Sequence, residues 1–194
     1  GRGATPVGGG GADGRLMPRH SLLTRVVVPM PDGAVLPDSL SPGCFGCGPE
    51  NERGLLVQSR LERDLVVADL SLVPWHGGGP GVAHGGILAT FLDELMGHVA
   101  VAHRIPAVTA RFEIDFLRPV PIGSVVRGEA WLARRDGRKL WTEAEGSDGN
   151  GEVSIEARAL YMTVGLEHFG DALAGLTEEQ LARLSPFRTG ELYP

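Results

Sequence analysis

The sequence predicts an α+β domain in which an antiparallel sheet wraps one long helix. Two short stretches of alternating apolar residues come first, one long apolar stretch with helical character follows, and three or four longer alternating stretches come after it. A single helix that is apolar on most sides must be covered on most sides. In this order of elements, only the sheet is large enough to cover it.

The first two alternating stretches, "GLLVQSRLE" and "DLVVADLSLV", predict a hairpin that turns near Arg63 and Asp64. The Gly- and Pro-rich loop "PWHGGGPGVA" then leads into a helix from about His84 to His103. Four strands are predicted after the helix, with "DGR" as a tight turn before the third: "AVTARFEIDFL", "SVVRGEAWLARR", "KLWTEAEGS" and "EVSIEARALYMTVG".

The chain divides into four segments along its 194 residues. Residues 1–20 are Gly-rich and are predicted to be a flexible leader, because they carry too few apolar side chains to order themselves. Residues 21–43 contain several prolines and are expected to form an arm across the domain, which occupies residues 44–165. Residues 166–194 form a tail with a short helix, whose start is marked by the capping-box spacing of Thr177 and Gln180.

Composition argues against several classes of partner. The formal net charge is -6 and the pI is about 5.5, without a long basic run, so nucleic acid and anionic membranes are not expected partners. Two cysteines are too few for a secreted disulfide scaffold and favour the reducing cytoplasm. No apolar run is expected to be long enough to span a membrane.

Three motifs agree in order and spacing: "CFGCGPENERGLLVQ", "HGGILATFLDE" and "TARFEIDFLRPVPIG". Together they resemble the hotdog-fold acyl-CoA thioesterases of the phenylacetate-pathway and 4-hydroxybenzoyl-CoA type, over roughly Cys44 to Gly165. The resemblance implies a hotdog fold and hydrolysis of an acyl-CoA to free acid and CoA. It implies no cofactor, since coenzyme A is part of the substrate.

The resemblance also implies roles for four residues. The acidic residue nine positions after His84 is Asp93, the expected general base or nucleophile, and the threonine sixteen positions later is Thr109. The backbone N–H of Gly85 is expected to polarise the thioester carbonyl, which suits a helix N-terminus. His84 is expected to shape the turn and contact the ligand.

Helix geometry supports Asp93 over its neighbour Glu94. Asp93 shares a stripe with small residues that leave room for a ligand, whereas Glu94 lies on a more polar edge, beside Thr90 and His98, that could reach solvent or another chain. Asp93 could also be only a structural partner of a backbone group. Further positions are predicted to contact the substrate: Gly86, Glu94, Ala110, Arg111 and Trp75.

The C-x-x-C pair, Cys44 and Cys47, leaves zinc or redox chemistry open. No second such pair follows, and zinc would have to recruit histidines such as His76 and His84. The favoured interpretation is a turn that leads into the first strand, with no metal.

Two other functions and one assembly follow from the same pattern. A hotdog enoyl-CoA hydratase or dehydratase, and a non-catalytic acyl-CoA binding protein, are the alternatives to the thioesterase. The open edge of the predicted sheet favours pairing with a second copy, as a homodimer or as a homotetramer built from it.

Overall fold

The computed structural model describes residues 30–36 and 41–178. At its centre is a six-stranded antiparallel sheet with the strand order β1-β2-β4-β5-β6-β3. The strands are β1 (Arg60–Glu62), β2 (Leu65–Ser71), β3 (Ala107–Phe116), β4 (Val125–Asp136), β5 (Lys139–Ser147) and β6 (Val153–Thr163), and the long helix α1 is Gly85–Ala102. The predicted α+β class and the order of its elements are confirmed.

The helix α1 is enclosed by the sheet. It packs against β2, β3, β4, β5 and β6. Phe91, Leu92, Leu95 and Met96 lie at the centre of the core and are completely buried. Burial of these large apolar side chains is the main favourable contribution to folding in a domain of this size.

The helix is also apolar and long enough, with 18 residues at a mean hydropathy of 1.2, to cross a membrane by length and composition. The helix meets these two criteria although Asp93 and Glu94 interrupt its apolar run. Half of this 18-residue helix is buried inside the domain. Packing against five strands accounts for its apolar character.

Two strand glycines allow close packing. One lies between the sheet and the helix, and the other lies within the sheet. A Cβ atom on Gly128 of β4 would overlap the side chains of Leu95 and Phe91. A Cβ atom on Gly146 of β5 would overlap Ile155 in the same way. These positions are filled by neighbouring side chains, as the close packing of protein interiors requires.

The first strand is shorter than predicted. Its predicted first half, residues 54–59, alternates between buried and exposed residues, but it is not a strand and does not pair with β2, and Leu56 in its middle has a positive φ of 51°. Instead the backbone N–H groups of Leu55 and Val57 donate to the carbonyls of Phe45 and Gly46. The burial pattern was predicted correctly, but the predicted strand is wrong for residues 54–59, because this segment bonds to the turn at Phe45 and Gly46 and not to β2.

The predicted hairpin turn is confirmed at Arg63 and Asp64, whose φ angles are 48° and 64°. Positive φ at both central residues suits the tight turns that match strand twist. In the described part of the arm, Val35 forms an isolated bridge with Arg60 on the outer side of β1. The remaining arm, the leader and almost all of the predicted tail helix fall outside the described residues, which show instead a 3-10 segment at Leu166–Gly175.

We expect Gly128→Ala to lower the free energy of unfolding by about 1–3 kcal/mol, because the added methyl group overpacks the contact with Leu95 and Phe91. Urea denaturation measures the change. Gly149→Ala is the matched control, since a Cβ atom there meets nothing within 4 Å. Equal denaturation midpoints for the two variants would contradict the close packing described here.

Candidate functional site

The carboxylate of Asp93 is held at mid-helix by two hydroxyl groups. The Tyr161 hydroxyl lies 2.8 Å from Asp93 Oδ1 and 2.8 Å from the Asp93 carbonyl oxygen. The Thr109 hydroxyl donates to the same Oδ1 at 3.2 Å. Within the described part of the chain, Oδ2 accepts no hydrogen bond, so one carboxylate oxygen is fixed and the other is available to a ligand.

The two hydroxyls come from neighbouring strands in register. Thr109 on β3 lies directly opposite Tyr161 on β6. A β-bulge follows Thr109 in β3 and places Ala110 outside the ladder. Bulges of this kind redirect side chains near functional sites. The predicted proximity of Thr109 to Asp93 is confirmed.

Tyr161 was not among the predicted site residues. It is 3% exposed, and burial, followed by the nearby charge of Asp93, raises the pKa of Tyr161 well above its ordinary value. The phenol therefore stays protonated and can donate a hydrogen bond to Asp93. The sequence could have indicated this residue, because the alternation of β6 places Tyr161 on the inward face. A buried tyrosine hydroxyl usually needs a polar partner.

The N-terminus of α1 forms a second part of the site. His84 precedes the helix, and its Nδ1 accepts a hydrogen bond of 2.9 Å from the Gly86 N–H, so this histidine caps the helix. A Cβ atom on Gly85 would come within 3.1 Å of the Phe116 ring. The predicted role of His84 in shaping the turn is confirmed, and the glycine keeps the approach to the helix end open.

Gly85 borders a largely apolar cleft of about 350 Å³. Its wall comes from the loop before α1, from the first turn of α1, and from the end of β3 with the segment that follows: Val82, Ala83, Gly85, Leu88, Phe116, Leu117, Arg118, Pro119 and Val120. Arg118 contributes the charged group, and it forms a 2.6 Å ion pair with Glu152. A cleft of this size and character suits a small apolar ligand group.

Within one chain, Gly85 and Asp93 lie far apart. They are separated by eight residues of one helix, which corresponds to about 12 Å at 1.5 Å per residue. The N–H that was predicted to polarise a carbonyl and the carboxylate that was predicted to act on it therefore cannot reach the same carbonyl within one chain.

Residues 80–155 match the family model described as Thioesterase superfamily. The chain is 33% identical over 90 residues to acyl-coenzyme A thioesterase THEM4 of Xenopus laevis, which covers 46% of this chain and 40% of the relative. A solved thioesterase superfamily protein superimposes with a TM-score of 0.60 at 26% identity, over 64% of this chain and 62% of that one.

The fold is the predicted hotdog fold, and residues 80–155 are similar to the thioesterase superfamily. Two further structures share the fold. The E. coli PaaI protein from the phenylacetic acid degradation operon aligns with a TM-score of 0.56 at 19% identity, over 60% of this chain and 88% of that one. A Streptococcus pneumoniae thioesterase solved with coenzyme A aligns with a TM-score of 0.51 at 20% identity, over 52% and 82%. Variants of the latter protein were solved with alanine in place of an aspartate and of a threonine sixteen residues after it.

The Glu94 side chain contacts different groups from those that hold Asp93. Glu94 Oε1 lies 3.1 Å from His98 Nε2, its Oε2 lies 3.7 Å from Cys44 Sγ, and its side chain is 17% exposed. Burial raises the pKa of Glu94, but the contacts with His98 and the two thiols outweigh it and hold the pKa below its ordinary value. Glu94 lies beside His98, as the helix geometry predicted, and most of its side chain is buried against groups of its own chain. Its contact with a neighbouring chain stays a prediction.

The histidine beside the C-x-x-C turn is not one of the two proposed from the sequence. The turn itself is confirmed, since the Gly48 N–H donates to the Cys44 carbonyl at 3.0 Å. His84 lies ten residues before Glu94, or about 15 Å along the helix, and the His76 carbonyl pairs with its backbone. His98 is the histidine that contacts Glu94.

The other predicted substrate contacts are on the surface of the single chain. Trp75 is 81% exposed. Ala110 and Arg111 are exposed on β3, and Arg111 pairs with Glu113. Their predicted contact with a substrate stays a prediction.

The shifted pKa of Tyr161 can be measured directly. The chain has two tyrosines, so in Tyr193→Phe the ultraviolet tyrosinate signal comes from Tyr161 alone. We expect no ionisation near the ordinary tyrosine value of about 10. Because folding raises this pKa, the proton stabilises the fold fully below about pH 10, and that stabilisation is lost as pH rises towards the folded value.

The tyrosinate signal should therefore appear only well above pH 10, together with loss of the far-ultraviolet circular dichroism of the fold. Ionisation of Tyr161 near pH 10 with unchanged circular dichroism would show that its hydroxyl is not held by Asp93.

Proposed function

We propose that this chain is an acyl-CoA thioesterase, which hydrolyses the thioester of an acyl-CoA to a free acid and CoA, with Asp93 as general base or nucleophile. The observation that carries the proposal is the Asp93 carboxylate, with Oδ1 fixed by Tyr161 and Thr109 and Oδ2 available. The similarity to acyl-coenzyme A thioesterase THEM4 of Xenopus laevis supports it, although the chain spans only 40% of that relative.

The chemistry fits this arrangement. As a base, Asp93 takes a proton from water while the water oxygen attacks the thioester carbon, and the C–S bond then breaks. The CoA thiolate leaves and takes up that proton, so the carboxylate is regenerated. As a nucleophile, Asp93 instead attacks the thioester carbon, and the C–S bond breaks as the CoA thiolate leaves. Water then hydrolyses the resulting anhydride to the free acid and the Asp93 carboxylate, and its proton passes to the thiolate. Neither route needs a cofactor beyond the CoA of the substrate.

Coenzyme A as the substrate carrier and Asp93 with Thr109 as a pair have support from one related structure. The Streptococcus pneumoniae thioesterase was solved with coenzyme A. Its aspartate and threonine changed to alanine are sixteen residues apart, and so are Asp93 and Thr109.

We further propose that the active site is shared between two copies of the chain. The separation of about 12 Å between Gly85 and Asp93 along α1 is too large for one carbonyl, but a second copy related by a two-fold axis can bring its Gly85 to the first copy's Asp93. β3 is an edge strand of the sheet, and its centre, from Thr109 to Arg111, is exposed. A homodimer is the smallest assembly, and a homotetramer is the larger alternative.

Cytoplasmic location is part of the same proposal. It is supported by Cys44 and Cys47, which are close together and not joined by a disulfide. A hydratase or dehydratase and a non-catalytic acyl-CoA binding protein are the competing functions, and thiol release separates both of them from hydrolysis.

The first experiment measures CoA thiol release from short, medium, long and aromatic acyl-CoAs. We expect turnover of at least one class, and we expect Asp93→Asn to reduce kcat by about 10²–10⁴, the range for loss of a general base. Thr109→Ala should cost less, because it removes one of two hydroxyls on Oδ1. Asp69→Asn, at an exposed position of β2, is the matched control.

Circular dichroism and light scattering must first show that each variant is folded and assembled like the parent protein. Acyl-CoA binding without thiol release would support the binding protein, and conversion of only enoyl or hydroxyacyl substrates would support the hydratase. Full turnover by Asp93→Asn with loss in Glu94→Gln would place the base one residue later.

The shared site predicts that two inactive variants restore each other. Gly85→Pro removes the N–H at the first helical position, where proline is tolerated, and the extended backbone of His84, with φ -68° and ψ 133°, suits a following proline. Gly85→Ala adds a side chain but keeps the N–H, so it is the matched control.

A mixture of Gly85→Pro and Asp93→Asn chains, unfolded and refolded together, should regain about a quarter of the parent activity, because half of the dimers are mixed and each has one intact site of two. Each variant alone should stay inactive. A monomer at micromolar concentration, or a mixture no more active than its components, would contradict the shared site.

A further inference from the structure

The turn from Cys44 to Cys47 meets the middle of α1 at a cluster of sulfur and carboxylate groups. The Sγ atoms of both cysteines and a carboxylate oxygen of Glu94 lie within 4.8 Å of one another. Cys47 is 2% exposed, and the Glu94 side chain is 17% exposed. Three potential metal ligands therefore meet in the interior, from two segments that are far apart in sequence.

His98 adds a fourth group from the next turn of the helix. Its side chain is 5% exposed, and its Nε2 lies 3.1 Å from Glu94 Oε1 but makes no hydrogen bond of acceptable geometry within the described part of the chain. The other ring nitrogen, Nδ1, lies 2.6 Å from the hydroxyl of buried Ser59. If Nδ1–H donates to Ser59, Nε2 has a free lone pair, which is how metal-binding imidazoles are commonly held.

The spacing of Cys44 and Glu94 is compatible with a metal site as well as with a weak hydrogen bond. The 3.7 Å between Cys44 Sγ and Glu94 Oε2 is long for a hydrogen bond from a thiol, which is a weak donor. In a tetrahedral zinc site, with Zn–S of about 2.3 Å and Zn–O of about 2.0–2.2 Å, sulfur and oxygen ligands lie about 3.5 Å apart. Cys44, Cys47 and Glu94 are close to such a spacing, whereas His98 Nε2 contacts Glu94 but lies outside that group and would have to move towards the cysteines to complete the site.

We propose that Cys44, Cys47, Glu94 and His98 bind a zinc ion that anchors the turn to α1. Two thiolates and an imidazole favour zinc over calcium or magnesium, which prefer oxygen ligands. The ligands form two short chelating pairs, C-x-x-C in the turn and an i,i+4 pair on the helix. The site is distinct from the Asp93 site and goes beyond the proposed hydrolysis.

The loop between the two cysteines is shaped to this carboxylate. A Cβ atom on Gly46 would overlap the carboxylate of Glu94, so only glycine lets the backbone lie against it. On either side of this glycine, the cysteines can then approach the same carboxylate.

The test uses the full chain, purified without an affinity tag that binds metal and kept reduced. We expect about one zinc per chain by mass spectrometry of the metal content. After zinc removal, added Co²⁺ should give visible bands of a tetrahedral site and a thiolate-to-cobalt charge-transfer band in the near ultraviolet. The chain has two cysteines, so that band can come only from Cys44 and Cys47.

Variants assign the remaining ligands. Cys47→Ser should weaken the charge-transfer band, and Glu94→Gln and His98→Gln should each lower cobalt affinity by about tenfold or more. Glu50→Gln, on the same loop, and His168→Gln, both at exposed positions, should bind like the parent chain. Circular dichroism confirms that each variant is folded.

Reduced parent chain that takes up no zinc or cobalt, or cobalt that binds without the thiolate band, would overturn the proposal. Equal affinity in Glu94→Gln and Glu50→Gln would remove Glu94 from the ligand set and overturn it as stated. None of these measurements uses thioester hydrolysis, so their failure is independent of the proposed enzymatic function.

Discussion

Enclosure of α1 by the sheet is the constraint on which the rest of this structure depends. Five strands contact the helix, and the side chains on its inner faces, from Leu88 to Ala102, are largely buried. A polar side chain on such a helix must find a partner, because burial of an unpaired charge is very costly. Each helix carboxylate therefore requires a specific set of polar groups on the surrounding elements.

Adjacent positions on a helix differ by about 100° in direction, and this rotation separates Asp93 from Glu94. Asp93 is directed to β3 and β6, where Thr109 and Tyr161 provide hydroxyl donors. Glu94 is directed to the turn at Cys44 and to His98. The two adjacent acidic residues thus lie in different environments. Asp93 has one carboxylate oxygen without a hydrogen bond from the described residues, and Glu94 is packed under the Cys44 turn.

The sequence was sufficient for everything that depends on local pattern. Helix α1 and strands β3 to β6 begin and end within two residues of their predicted bounds, because apolar periodicity and turn residues specify them locally. The role of His84 in shaping the turn and the assignment of Asp93 and Thr109 to one site were also predicted, both through a family resemblance. These features join residues on one helix or on consecutive elements.

The missed features join residues that are distant in the sequence. Tyr161 lies 68 positions from Asp93, and the strand order that brings β6 beside β3 is not a local property. His98 was noted beside Glu94, but no pattern could show that the Cys44 turn packs on that edge of the helix. The histidines chosen instead, His76 and His84, are nearer to Cys44 in the sequence, and sequence distance was a poor guide to contact.

The two carboxylates also differ in the groups that surround them. Asp93 has partners that fix one oxygen, and its environment includes the exposed edge strand β3, so a second chain can alter it. Glu94 is surrounded by groups of its own chain. Because the same rigid helix carries both, any group that fixes the Glu94 end against the Cys44 turn also limits the rotation of α1 that would displace Asp93 from Tyr161. Interactions around Glu94 therefore contribute to the precision of the Asp93 site without contact with a substrate.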